Sequence, residues 1–274
     1  MKYFIVADVH GFYNELERAL KDAGFDKDNH EHIFVSLGDL LDRGNFPLQC
    51  LKFVNSLDRK ILIRGNHEDL MEEALARREF RYHDYTNGTE GTAFDLSGYG
   101  VDCFSEDEVI DRVKSNEEYN KYLSSTVDYY DDGENVFVHG WIPCETSDDN
   151  MYHSRGIKYH SIDSWESGSW RRARWINGMD AWNNGVRLDG KTIYCGHWHT
   201  SWGHSKIHKI GKEWDNEYST NPDHRKAHFE PFVDKGIVAL DACTAYSHKI
   251  NCYVKVVSHA IDTIYNRTRS DKCQ

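Results

Sequence analysis

No stretch of this chain approaches the roughly 20 consecutive apolar residues that a membrane-spanning helix needs, so no bilayer-crossing segment is expected. The N-terminus also lacks the basic-then-apolar build of a secretory leader; a strand-like run, Tyr3 to Ala7, begins at once. Both absences make the cytoplasm the default location and leave membranes out of the expected partners. Cysteine is sparse and badly spaced for stapling: seven residues (50, 103, 144, 195, 243, 252 and 273), an odd number, with no C-x-x-C pair. They are expected to be reduced and structural, which argues against a disulfide framework or a cysteine-rich zinc site. Positive charge is in deficit, with 33 Lys and Arg against 45 Asp and Glu and a formal net charge of −12. Such a surface does not track nucleic-acid phosphates. A small phosphorylated substrate held through metals stays open, because bound cations invert the local field. Repeats, low-complexity tracts and linkers are missing as well, so residues 1–274 read as a single domain.

What the chain does have is a globular composition, 39% apolar and 13% aromatic. It also repeats one unit. Lys2 to Ala7 reads as a strand ending in Asp8-Val9-His10-Gly11, followed by helical spacing from Phe12 to Gly24. His32 to Leu37 reads as a second strand, ending in Gly38-Asp39-Leu40-Leu41-Asp42-Arg43-Gly44, with a helix from about Phe46 to Leu57. Lys60 to Arg64 reads as a third, stopping at a Gly-Asn turn in Gly65-Asn66-His67-Glu68, with a helical run through Leu70, Met71, Ala74 and Leu75 beyond it. Strand, polar tip and helix at roughly 30-residue spacing is the βαβ pattern of an α/β fold.

The periodicity then degrades over about 80–132 into acidic and Tyr-rich segments, expected to form helices and loops inserted beside the sheet. Asn135 to Val138 resumes a strand ending at His139-Gly140; Lys191 to Cys195 ends at Gly196-His197-Trp198-His199; Gly236 to Leu240 ends at Asp241; and Lys249 to Val257 alternates as a last strand. Further insertions are expected at about 141–190 and 202–232, and the tail from His259 reads as loosely held.

Each tip carries hard or borderline donors: Asp8 and His10, Asp39, Asn66, His139, then His197 and His199. Carboxylate, amide and imidazole together suit divalent Mn, Fe, Zn, Co or Ni. Alternate residues of an extended segment point the same way, so Asp8 can converge with His10 and His197 with His199. One D-x-H or H-x-H is incidental in most soluble chains. Five such tips in order, each behind an apolar strand, are not. Seven donors exceed one ion and suit two ions sharing a carboxylate, an arrangement that clamps a phosphoryl group. Apart from these four and His67, the other eleven histidines, His204 and His208 among them, read as surface or satisfied core residues.

The order D-x-H, G-D-x-x-D-R-G, G-N-H-E, H-G, G-H-x-H resembles the calcineurin-like metallophosphoesterase superfamily. The blocks Gly38 to Gly44 and Arg64 to Glu68 further resemble its phosphoprotein phosphatase branch, which includes bacterial and phage Ser/Thr phosphatases and symmetrical diadenosine tetraphosphatases. Ala7 stands where that branch usually has Gly, and both distal histidines are present where the branch typically keeps the first. The resemblance implies a four-layer α/β/β/α sandwich of two mixed sheets. It implies one ion held by Asp8, His10, Asp39 and His199, and a second held by Asp39, Asn66, His139 and His197, with Asp39 bridging and Mn the expected activator in vitro.

The activity implied is a Ser/Thr phosphatase-like phosphomonoesterase. A water shared by the two ions is acidified enough to attack phosphorus in line, with no protein nucleophile. His67 would protonate the leaving oxygen, with Asp42 orienting it. Arg43 is the first choice for binding phosphate and Arg174 the second, since a guanidinium fork matches phosphate geometry. Asn66 would also touch substrate. Arg64 reads as part of the wall, and Arg171 and Arg172 as solvated surface. The Trp-rich 141–202 region reads as packing, with a stacking platform for a base as the other reading. The substrate class is a phosphoprotein, nucleotide or small phosphoester. Symmetrical hydrolysis of a dinucleoside tetraphosphate is the alternative, and a phosphodiesterase or a non-catalytic metal-binding scaffold stands further off.

Overall fold

The computed structural model describes residues 1–98, 105–147, 158–214 and 226–257. The tail from His259, parts of all three expected insertions, and Cys103 and Cys273 lie outside these residues. The five described cysteines are free.

Two mixed sheets carry the fold. In the first, β1 (Lys2–Val6), β2 (His32–Ser36) and β3 (Lys60–Leu62) run parallel, joined by α1 (Tyr13–Asp22) and α2 (Pro47–Ser56). The crossover helices form for visible reasons. Leu16 and Leu20 of α1 sit one turn apart and are both buried, and Pro47 opens α2 where its missing N–H costs nothing. The β3 tip departs from a simple turn: Asn66 is the first residue of α3 (Asn66–Arg77), with Gly65 as its N-cap.

The expected insertion after residue 80 builds α4 (Tyr82–Asn87), α5 (Thr89–Ser97), α6 (Glu106–Ser115) and α7 (Glu117–Ser125). These helices are not a loose flap. Val109, Ile110 and Val113 of α6 are fully buried in the same core as Leu51 and Val54 of α2. At about 1.5–3 kcal/mol for each such side chain, they make the insertion part of the first helical layer.

The second sheet contains β4 (Tyr130–Asp131), β5 (Asn135–Phe137), β8 (Thr192–Cys195), β9 (Phe232–Asp234) and β10 (Ile237–Ala239), in spatial order β4-β5-β8-β10-β9. Its three central strands are parallel and both edges antiparallel. A separate pair, β6 (Cys144–Thr146) with β7 (Tyr159–Ser161), lies between β5 and β8 in the chain. Helices α8 (Ser167–Ala173), α9 (Gly178–Asn183) and α10 (Ser201–Lys206) cover the outer face, where Trp170, Met179, Trp182 and Trp202 pack against Val136, Ile193 and Ile237. A short α11 (Thr244–Ser247) follows β10, and β11 (Tyr253–Val256) closes the first sheet antiparallel to β1. This last strand is shorter than the alternation from Lys249 suggests, and its Val254 and Val256 face solvent.

The period-2 alternation of β1 sets the layer order. Phe4 and Val6 point to the α1–α2 side, while Tyr3, Ile5 and Ala7 meet Phe137, Tyr194, Val238 and Leu240 of the other sheet. Tyr3 sits edge-on to Phe137 at 5.4 Å, and Phe137 stacks on Tyr194 at 5.0 Å. The result is the four-layer α/β/β/α sandwich. The C-terminal ends of β1, β2, β3, β5, β8 and β10 carry every polar tip singled out in the sequence. Among the described residues no helix is long and apolar enough to cross a membrane.

Candidate metal centre

At the β1, β2 and β8 tips the backbone adopts an uncommon conformation. Asp8 (φ 51°), His10 (51°), Asp39 (52°), Asp42 (71°), Arg43 (66°) and His197 (66°) all lie in the left-handed region. Few non-glycine residues go there, and the strain persists only when surrounding contacts enforce it. Those contacts run from tip to tip. His10 N–H donates to Asp39 O at 2.9 Å, Asp8 N–H to Gly38 O at 3.2 Å, and Gly196 N–H to His139 O at 2.7 Å. Two glycines are needed for the approach itself. A Cβ on Gly65 would stand 2.1 Å from Asp39 Oδ1, and one on Gly196 would stand 2.3 Å from Asp8 Oδ2.

Asp39 is the hub. Its Oδ2 lies 3.4 Å from His139 Nε2, 3.8 Å from His10 Nε2 and 3.9 Å from His67 Nε2. Two groups of donor atoms, each within 4.8 Å of one another, share it: His10, Asp39 and His67, and Asp39, His139 and His197. Carbonyls fix the tautomers. His10 Nδ1 donates to Leu41 O at 2.9 Å and His139 Nδ1 to Leu37 O at 2.8 Å, which turns both Nε2 atoms inward. Asn66 Oδ1 stands 2.8 Å from His139 Nε2. The paired oxygens of Asp8 accept the His197 N–H at 3.0 and 2.9 Å, and Thr244 Oγ1 donates to Asp8 O at 2.9 Å. His199 contacts Ser201 Oγ at 2.8 Å through Nδ1.

The charges are tightly interdependent. Burial pushes the Asp8 carboxyl up, and Asp241 beside it adds to the effect. Burial and His199 act in opposite directions on Asp241, which ends raised. Burial opposes ionisation of Asp39 too, yet His139 and His67 hold it well below the usual carboxylate range. Burial would depress His139, but Asp39 outweighs it and raises the imidazole to about 9; desolvation and the neighbouring His139 lower half-buried His197 to about 3. A buried set of carboxylates and inward-facing imidazoles, with one carboxylate common to two groups, fits two divalent cations.

Beside these donors His67 Nδ1 donates to Asp42 Oδ2 at 2.8 Å. Arg43, exposed at the mouth, directs Nη1 to His10 Nε2 and Nη2 to His67 Nε2, each at 3.1 Å. A guanidinium only donates, so both Nε2 atoms accept and both imidazoles carry their proton on Nδ1. The rings of His10 and His67 meet edge-on at 4.7 Å. Arg174 is placed differently. Its buried guanidinium donates to Asp69 Oδ2 at 2.8 Å and pairs with Asp128, tying α8 to α3 and to the segment before β4. Arg64 donates to the other oxygen of Asp69 at 2.7 Å, within the wall. Arg171 pairs with Glu73 at the surface, and Arg172 reaches Thr146 Oγ1 at 2.6 Å. Trp175 sits edge-on to His197 at 5.8 Å.

Sequence reasoning gave no role to Glu68, although it completes the Gly65-Asn66-His67-Glu68 block. Fully buried, it accepts Asp39 N–H (3.0 Å) and Gly65 N–H (2.7 Å) on Oε2, and Leu40 N–H (3.0 Å) and the Tyr122 hydroxyl (2.9 Å) on Oε1. It is the staple between the β2 and β3 tips. Tyr122, and Thr89 against Asp42, come from the aperiodic insertion, where nothing in the sequence signalled them. Glu68→Gln tests the staple: whichever way the amide turns, its NH2 faces two donors. We expect a loss of about 2–4 kcal/mol, read as a melting temperature lower by about 4–10 °C. An unchanged melting temperature would remove Glu68 from this role.

A model described as calcineurin-like phosphoesterase matches residues 1–231. Among curated proteins, the chain is 36% identical over 86 residues to a symmetrical bis(5'-nucleosyl)-tetraphosphatase of Pasteurella multocida, covering 31% of this chain and 30% of that protein. It is 36% identical over 73 residues to serine/threonine-protein phosphatase 1 of Salmonella typhimurium, covering 27% and 32%. The chain thus spans about a third of the length of these relatives. Among solved structures it is similar to the cold-active protein-tyrosine phosphatase of a psychrophilic Shewanella, at 16% identity and TM-score 0.46, covering 90% of this chain and 73% of that one.

Proposed function

The chain belongs to the calcineurin-like phosphoesterase family, and from that premise we propose that it is a metal-dependent phosphomonoesterase of the Ser/Thr phosphatase-like kind. The observation that carries this reading is Asp39, shared between two groups of inward-facing imidazoles with the Asp42–His67 pair and Arg43 alongside. Asp8, His10, Asp39 and His199 would hold one divalent ion; Asp39, Asn66, His139 and His197 would hold the other. When bound, such ions acidify water and neutralise phosphoryl oxygens.

The remaining work belongs to the chain. Arg43, whose Nη1 and Nη2 already point across the mouth, binds the phosphoryl oxygens as a fork. A phosphate that draws the Arg43 donors away leaves His67 Nε2 free to carry a proton. Asp42, hydrogen-bonded to Nδ1, fixes the imidazole's direction and the place of its Nδ1 proton. His67 then delivers that proton from Nε2 to the leaving oxygen. The burial of Asp42, His67 and Glu68 keeps water from competing for these bonds.

Hydrolysis of a dinucleoside tetraphosphate is the second reading, favoured by the name of the Pasteurella relative. The two separate on a substrate panel with the Mn-loaded protein: p-nitrophenyl phosphate, a phosphoserine peptide and diadenosine tetraphosphate. Phosphate release from the first two supports the leading reading. A rate at least tenfold higher on diadenosine tetraphosphate, with ADP as the only product, replaces it by the second. No turnover of any substrate by protein containing two ions overturns both.

A further inference from the structure

We propose that Thr89, at the first turn of α5, is a positioning residue for the Asp42–His67 pair; the proposal rests on the phosphatase reading above. Thr89 Oγ1 donates to Asp42 Oδ2 at 2.7 Å, the same oxygen that receives His67 Nδ1 at 2.8 Å. Both Thr89 and Asp42 are fully buried, so no solvent stands by to replace the hydroxyl. The other oxygen, Asp42 Oδ1, is buried and has no hydrogen-bond partner among the described residues. The two donors therefore converge on one oxygen. Without Thr89 nothing distinguishes the carboxylate's two faces except His67 itself, and the group is free to turn.

The insertion grips this tip at two more points. Thr92 Oγ1 accepts the Asp42 N–H at 3.0 Å, one helical turn beyond Thr89. Gly88, at φ 82°, brings its backbone so close that a Cβ there would lie 2.4 Å from Arg43 N. Asp42 and Arg43 are both left-handed residues, so the tip needs this external support. The helical insertion thus does for the acid pair what Glu68 does for the metal hub. Its second helix begins where the carboxylate of Asp42 must be held.

Because Thr89 would act through Asp42 and His67 and not on substrate, its loss should be selective. An imidazole turned off line delivers its proton poorly, and a misplacement of about 1 Å can cost on the order of a hundredfold in rate. Poor leaving groups need that proton and good ones scarcely do. Substrate affinity, set by Arg43 and the cations, should hold.

The experiment compares Thr89→Val, isosteric without the hydroxyl, with Thr89→Ser, which keeps it, in the Mn-loaded full chain. Expected for Thr89→Val is a kcat lower by about ten- to a hundredfold on an alkyl phosphate and less than about threefold on p-nitrophenyl phosphate. KM and the metal content should be unchanged, and Thr89→Ser should stay close to the parent protein. Equal kcat losses on both substrates, or no loss, would overturn the proposal. Thr89→Ala, read by the same criteria, takes the place of valine if circular dichroism shows that variant unfolded. A second readout needs no turnover: the downfield proton resonance of His67 Nδ1–H should shift in Thr89→Val and return in Thr89→Ser. If the parent protein hydrolyses nothing but the resonance behaves so, the positioning role stands and the phosphatase reading falls. An unmoved resonance sinks the positioning role whatever the activity.

Discussion

Asp39→Asn should bring the bound metal from two ions per chain to one or none and lower kcat/KM by about a thousandfold or more. The size follows from the shared position. One oxygen, Oδ2, lies within 3.4–3.9 Å of His139, His10 and His67, so a single substitution weakens both groups of donors together. A charge lost at a hub of two cation sites costs several kcal/mol of transition-state stabilisation, and each 1.36 kcal/mol is tenfold in rate. The change should leave the fold intact. Oδ1 accepts the His67 N–H at 2.9 Å, and asparagine keeps an oxygen able to do so, which preserves the start of α3. Metal analysis by mass spectrometry, beside circular dichroism, separates the two consequences. If the variant retains two ions and activity within tenfold of the parent, Asp39 is not a shared ligand and the dinuclear reading fails.

The placement of the candidate donors was legible in the sequence because they stand at the ends of apolar strands, where period-2 and helical spacing are strongest. Asp8, His10, Asp39, Asn66, His139, His197 and His199 each follow such a strand, and the two sheets bring all the tips to one edge. What escaped is what depends on the path of the chain between strands. The left-handed backbone at six site residues is enforced by hydrogen bonds between tips about 30 or more positions apart, which no local pattern encodes. Thr89 and Tyr122 come from the insertion, whose helices share a core with α2, and neither residue stands in a motif that marks it for the site. Arg174 stands in a setting that its motif did not signal. A motif position suggested phosphate, but Asp69 and Asp128 approach its guanidinium from two elements that the sequence could not place beside it. The helical start at Asn66 was hidden for a related reason, since its capping carboxylate, Glu68, lies inside the helix and bonds outward to the β2 tip.

His67→Asn carries the second large effect: kcat lower by about a hundred- to ten-thousandfold, with two ions still bound. The structure makes the metal content the decisive readout, because His67 Nε2 has two possible uses. It lies 3.9 Å from Asp39 Oδ2, in one of the two donor groups, so it is near enough to serve as a ligand. Its Nδ1 is tied to Asp42, and its Nε2 faces Arg43 at the open mouth, where a leaving oxygen would arrive. One lone pair cannot hold a cation and carry a proton at once. If His67 is the acid, asparagine leaves the cations in place, KM changes little, and the loss grows as the leaving group becomes more basic. If His67 is a ligand, the variant loses metal, and excess Mn restores part of the activity on every substrate alike. The geometry favours the acid, since the bond from Nδ1 to Asp42 holds the ring with Nε2 turned toward Arg43, on the side from which the proton is delivered. Full activity in the variant would take His67 out of the reaction altogether and leave Arg43 as the remaining side chain directed at the phosphoryl group.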